Sequence, residues 1–135
     1  MQGVQRIERD GVTYALIFGR DMACDGPVRF VTEQTDGLQV GFFERDINYA
    51  VTPHKHKPRT VTLPHVAEFL SIDKGRVKVK IFDDEWTLLD TKEVNAGQCV
   101  VFLRGGHALE VLEPARIMEV KQGPYPGDDK LRPAA

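Results

Sequence analysis

At 135 residues the chain has the length of one domain, enough to bury most of its apolar surface without cross-links. A composition of 41% hydrophobic and 28% charged residues argues against disorder, and a net charge of −2 gives no global attraction to nucleic acid or anionic membrane. No apolar run is long enough to span a bilayer and the first ten residues carry no signal-peptide core, so the expected address is the cytoplasm. Cys24 and Cys99 lie far apart and outside any C-x-x-C pair, which argues against a disulfide framework or a zinc knuckle.

In chain order, β-type runs between turn residues predict strands at 13–18, 28–33, 38–44, 49–56, 66–72, 76–82, 85–89, 98–103, 107–112 and 116–122. The punctuation is Asp25-Gly26-Pro27, Asp36-Gly37, Asp73-Lys74-Gly75, Asp83-Asp84, Asn95-Ala96-Gly97, Gly105-Gly106 and Glu113-Pro114, residue types that tolerate the backbone of tight turns. No stretch holds a helical period. Val77, Val79 and Ile81 alternate with Lys78 and Lys80, as in a strand with one wet face. Many short strands at this spacing predict a sandwich or barrel.

His54-Lys55-His56 is the first candidate for chemistry. Two histidines one residue apart on a strand share a face, about 6.6 Å apart along it, and both imidazoles can reach one ion about 2.0–2.2 Å from each nitrogen. The alternative is a solvated edge pair flanked by Lys55 and Lys57. Glu68 shares parity with Leu70 and Ile72, a core-facing place that is costly for a charge unless something pairs with it, and a metal ion is a natural partner. His107 shares parity with Leu109 and Val111, again the inward side. Strands that bring Glu68 and His107 alongside the histidine pair complete a site of three histidines and one carboxylate. His65, after Pro64 and of opposite parity to Glu68, reads as an outward loop residue. The donor set suits iron, manganese, nickel or zinc as a divalent ion and does not choose among them.

The run Ile117-Met118-Glu119-Val120-Lys121-Gln122 sets Glu119 and Lys121 on one strand face and Met118 and Val120 on the other. Two readings stand. The pair is an exposed ion pair of little energetic weight, or it lies in a pocket where burial and mutual attraction tune it for proton transfer or for holding a substrate carboxylate or phosphate. Arg104, beside Gly105-Gly106, is either exposed or an anion contact. Trp86 with Asp83-Asp84-Glu85 reads as a solvated hairpin carrying one packed aromatic, and Cys99 as a small buried apolar residue.

The order H-x-H, then Glu68 six residues before Gly75, then a strand bounded by Gly97 and ending in Gly105-Gly106-His107, resembles the two motifs of the cupin superfamily. The run Glu119-Val120-Lys121-Gln122-Gly123-Pro124-Tyr125, with Asp129-Lys130 behind it, looks like the ending of a group of small single-domain bacterial cupins of undefined activity. The resemblance covers roughly residues 38–132. The step from His56 to Glu68 is longer than in the standard first motif, which implies an enlarged loop from Lys57 to His65. Leu103 stands where the second motif usually has proline, and His107 arrives one residue early.

The resemblance implies an all-β fold, a cupin-type double-stranded β-helix or jelly-roll barrel, over a single domain of residues 1–135. Residues 1–50 would add strands to the sheet or to a dimer interface, 51–122 would form the motif-bearing barrel core, and 123–135 an irregular tail. It implies one divalent metal ion held by His54, His56, Glu68 and His107, and site roles for Glu119, Lys121 and Tyr125. The function expected is that of a metalloenzyme, an isomerase, epimerase or oxygenase, acting on a small polar metabolite of carbohydrate or nucleotide-sugar kind. Two alternatives stay open. One is a non-catalytic metal or small-ligand binding module, because no nucleophile triad or cofactor fingerprint is present. The other is a metal-free sugar isomerase or epimerase with a histidine base and Tyr125 as acid. The partners expected are a small molecule and a second copy in a homodimer, with neither nucleic acid nor membrane.

Overall fold

The computed structural model describes residues 3–134; Met1, Gln2 and Ala135, the ends of the expected single domain, lie outside the described residues. Eight strands form: β1 (Val4–Arg9), β2 (Val12–Gly19), β3 (Val28–Phe30), β4 (Gly41–Phe43), β5 (Glu68–Phe82), β6 (Leu88–Asn95), β7 (Gln98–Phe102) and β8 (Gly106–Lys121), with no helix among the described residues. All pairings are antiparallel, in the order β1-β2-β7-β5-β6, with β8 paired to β5 and β3-β4 as a separate two-stranded sheet.

Strand β5 organises the molecule. Its first residues, Glu68 to Ser71, pair with β7, and its last, Arg76 to Phe82, pair with β6, while β8 follows its other side along both halves. Val77, Val79 and Ile81 are fully buried on one face and Lys80 is exposed on the other, the alternation of a strand with one wet side. Burying each such side chain is worth about 1.5–3 kcal/mol. They share one core with Ile7 of β1, Ala15 and Ile17 of β2, Leu70 and Ile72 of β5, Val94 of β6, and Val100 and Phe102 of β7. One apolar face thus rolls onto itself, and the strongly curled sheet forms a half-barrel. Arg9 of β1 bonds Asp83 after β5 at 3.1 Å, tying the two margins of the curl together.

The opposite face of β2 and β7 is also covered. Leu16, Phe18, Cys99, Val101 and Leu103 pack under Val31, Leu38, Val40 and Phe42, so residues 31–42 form an outer layer. That explains the unbroken apolar run Ala15 to Phe18, buried on both sides. This face of the N-terminal strands, which need cover, receives it from the same chain. Cys99 of β7 faces the outer layer rather than the barrel interior, and burial pushes its thiol pKa up.

Several expected elements differ. Residues 66–72 and 76–82 are one bent strand, as are 107–112 and 116–122, because the punctuation between them makes bends rather than turns. The register shifts in β5 from Ile72 to Val77, opposite Val111 to Ile117 of β8. At the bend Gly75 has a φ of +82°, and a Cβ there would run into the carbonyl oxygen of Pro114. The strand expected at 85–89 begins later, at Leu88, since the Asp83 carboxylate accepts the N–H groups of Glu85 and Thr87 and holds a turn through Trp86 at a φ of +66°. The strand expected at 49–56 is absent: no strand occurs between Phe43 and Glu68. Pro53 and Pro58 lie on either side of the histidines, and neither has an N–H to give a ladder. Strand β1 was not anticipated. Asp10 and Gly11, at φ values of +53° and +76°, make the two-residue turn that joins it to β2.

Candidate functional site

The bend of β5 returns its two ends to the same end of the half-barrel. Glu68, the first residue of β5, stands opposite Phe102 of β7 on one side and Lys121 of β8 on the other. His107, the second residue of β8, stands opposite Ile81 at the far end of β5. The two meet across the concave face, with His107 Nε2 at 3.1 Å from Glu68 Oε2. The His107 ring lies flat on the ring of Phe102, centroids 4.0 Å apart and planes 5° from parallel. Phe102 is buried and forms the floor; Glu68 and His107 are 20% and 32% exposed at their side chains, so both remain open to a ligand.

Register also puts Glu119 opposite Leu70 and Lys121 opposite Glu68, which turns both toward the concave face and leaves Met118 and Val120 on the other. Lys121 Nζ is 3.9 Å from Glu119 Oε1, and both side chains are half-exposed. Of the two sequence readings, the pair thus takes the concave face of one and the solvent access of the other. The four groups share one field. The hydrogen bond from His107 holds the Glu68 carboxyl below its usual range; burial opposes this, while the charges of His107 and Lys121 and the neighbouring Glu119 carboxyl reinforce it.

A carboxylate accepts from an imidazole N–H, so Nε2 of His107 is the donor, and in the neutral ring Nδ1 keeps its lone pair. This is a histidine oriented by a carboxylate and steadied by an aromatic floor, an arrangement suited to taking or giving one proton. Lys121 adds a positive charge for an anionic group. Phe102 is the site residue that the sequence reading missed; its signal is parity with Val100 and a place just before the turn that presents His107.

His54 and His56 lie elsewhere, in the exposed stretch 43–62. Their rings are 5.4 Å apart, and His54 Nδ1 is 2.8 Å from the Thr52 carbonyl oxygen, to which it donates. The chemistry of the four donors fits a divalent ion, yet one chain holds them as two separate pairs. Among the described residues no three His, Cys, Asp or Glu side chains are gathered as a metal site. Tyr125, in the tail after β8, is 82% exposed.

Arg104 is tied to the outer layer, its guanidinium 3.7 Å from the largely buried Asp36. A shallow depression of about 630 Å³ lies at the turns Gly19–Asp21 and Ala96–Gln98, and its lining holds no comparable set of groups. No helix of the described residues is long and apolar enough to cross a membrane. No family model, curated protein or solved structure matches the chain.

Proposed function

We propose that the chain is a cupin-type jelly-roll protein that binds a small polar, anionic metabolite of carbohydrate kind at the open end of its half-barrel. In this reading Glu119 and Lys121 form the binding and acid–base pair, and His54, His56, Glu68 and His107 would hold a divalent metal ion, which would polarise a carbonyl or hydroxyl of the ligand. The observation that carries it is the 3.1 Å contact of Glu68 with His107 on the concave face, with Glu119 and Lys121 turned to the same side. Lys121 holds the carboxylate or phosphate of the ligand. Phe102 and the His107 ring offer it a flat apolar wall. Glu119 exchanges a proton with it, and Lys121, 3.9 Å away, steadies the carboxylate form of Glu119.

Metal analysis of protein purified without a histidine tag tests the ligand set. One equivalent of a divalent metal is expected in the wild type and none in the His54→Ala, His56→Ala double variant, because two of four donors are gone. Full occupancy in that variant removes the histidine pair from the site.

The second reading, a metal-free isomerase or epimerase with His107 as base, is favoured by one feature: within a single chain His107 is already oriented by a carboxylate, and His54 and His56 are not gathered with that pair. It expects no metal in the untagged protein, together with a sugar-phosphate-induced rise in melting temperature that His107→Gln abolishes. A stoichiometric metal excludes it.

A further inference from the structure

We propose that Arg104 is the phosphate-recognising residue of this site: when a phosphate-bearing ligand enters, the guanidinium leaves Asp36 and takes the phosphate together with Lys121. The proposal rests on the reading of the open end as the place of an anionic ligand, and it names the anion.

Arg104 is poorly satisfied where it stands. Its Nε is the one buried side-chain nitrogen or oxygen among the described residues that has no hydrogen-bond partner, and a buried donor left unmet is costly. Its ion pair with the Asp36 carboxylate, at 3.7 Å, is too long for a hydrogen bond. Asp36 does not depend on that pair, since its Oδ2 accepts the Glu33 N–H at 2.8 Å. Arg9, Arg20 and Arg76 differ, each donating to a carboxylate at 2.9–3.1 Å. A guanidinium is a fixed fork of five donors, and this one meets no acceptor at hydrogen-bond distance among the described residues.

The position of Arg104 says where that acceptor comes from. Arg104 lies in the turn from β7 to β8, at most about 7 Å of chain beyond Phe102. Phe102 is the register partner of Glu68, and Lys121 is the partner of Glu68 on its other side. The backbone of the turn is fixed around Arg104. The Leu103 N–H donates to the Tyr14 carbonyl oxygen at 2.8 Å, and Gly105 sits at a φ of +72° with the Phe82 carbonyl oxygen where a Cβ would be. Movement is therefore left to the Arg104 side chain, which has many rotamers. Turning away from Asp36 releases Nε from its burial and presents it beside one Nη as two parallel donors.

Phosphate is the anion that fits both cations. Lys121 Nζ is also beyond hydrogen-bond distance of its carboxylate, 3.9 Å from Glu119. One such cation is enough for a carboxylate group, with its single charge and two oxygens. A phosphate group carries close to two negative charges on three free oxygens, which suits one fork and one point charge together.

Titration of the full-length chain with inorganic phosphate, followed by NMR through the Arg104 Nε–H resonance, tests this. The resonance, identified by its absence in Arg104→Lys, should shift with saturation, and an unmoved resonance at saturation overturns the proposal. Arg104→Gln should weaken binding roughly tenfold or more. Asp36→Asn keeps an oxygen for the Glu33 N–H and withdraws the charge that holds Arg104. It should tighten phosphate binding by about two- to fivefold, the reciprocal of a weak ion pair. An ion pair that serves only to fasten the outer layer gives no tightening, so unchanged or weaker binding in Asp36→Asn overturns the proposal. Should Arg104→Gln unfold, Asp36→Asn and the Nε–H resonance still decide. Binding lost in Lys121→Met and unchanged in Arg104→Gln overturns the role of Arg104 and leaves the anionic-ligand reading standing. Wild type without saturable phosphate binding overturns both.

Discussion

Gly75→Ala tests the bend that brings the two ends of β5 together. Gly75 has a φ of +82°, and holding an L-residue in that region costs roughly 1–2 kcal/mol. A Cβ at Gly75 would also overlap the Pro114 carbonyl group and lie 2.9 Å from Ala115 Cα, backbone atoms of a strand held by the β5–β8 ladder. Overpacking against such atoms adds about 1–3 kcal/mol, for a total near 2–5 kcal/mol. Gly11 supplies the control: its φ is +76°, and nothing lies within 4 Å of where its Cβ would be, so Gly11→Ala incurs the backbone cost alone, about 1–2 kcal/mol. At this chain length 1 kcal/mol corresponds to roughly 3–5 °C in melting temperature. Thermal melts should therefore place Gly75→Ala about 6–25 °C below wild type and Gly11→Ala about 3–10 °C below it, with urea midpoints falling in the same order at constant slope. Equal losses for the two variants would refute the crowding at Pro114, and with it the tight bend that sets Glu68 across from His107.

Two further outcomes follow from the cluster. Because the folded-state pKa of Glu68 lies below its unfolded value, Glu68 contributes stability that is complete above the ordinary carboxylate range and is lost as pH falls through its own lower pKa. Urea midpoints measured between about pH 7 and pH 2 should show this acid loss in wild type and a flatter profile in Glu68→Gln; parallel profiles would remove Glu68 from the acid transition. Lys121→Met withdraws one of the positive charges that hold Glu68 ionised, so the Glu68 pKa should move upward, read from its carboxyl-carbon resonance in an NMR titration. An unmoved resonance would detach Lys121 from the site.

Much of the sheet is legible because a strand's side chains repeat with period two. Val77, Val79 and Ile81 against Lys78 and Lys80 declare a half-buried strand, and the unbroken run Ala15 to Phe18 declares one covered on both faces. Strand β1 escaped because that period fails in it. Ile7 is its one fully buried residue, and the pairing slips between Ile7 and Glu8, so no alternation is left to see. Its Asp10-Gly11 turn was the available signal. The bends of β5 and β8 were misread for another reason. Asp73-Lys74-Gly75 and Glu113-Pro114 have the composition of turns, and composition reports only that the backbone departs from a regular strand. Whether the chain reverses or bends is decided by what packs opposite, here each of the two segments against the other.

The site divides along the same line. Parity was enough to turn Glu68 and His107 inward, since Leu70, Ile72 and Ile81 anchor the face they share. Parity does not say that inward residues from opposite ends of one strand will meet; the bend at Gly75 does that, and the ring of Phe102 fixes His107 where Glu68 can reach it. For His54 and His56 the inference from spacing assumed a paired strand, because two side chains share a useful face only when a ladder holds the backbone flat. Pro53 and Pro58 withhold ladder donors on either side, and in one chain that backbone has no partner. The motif therefore has meaning only where a second surface supplies the ladder.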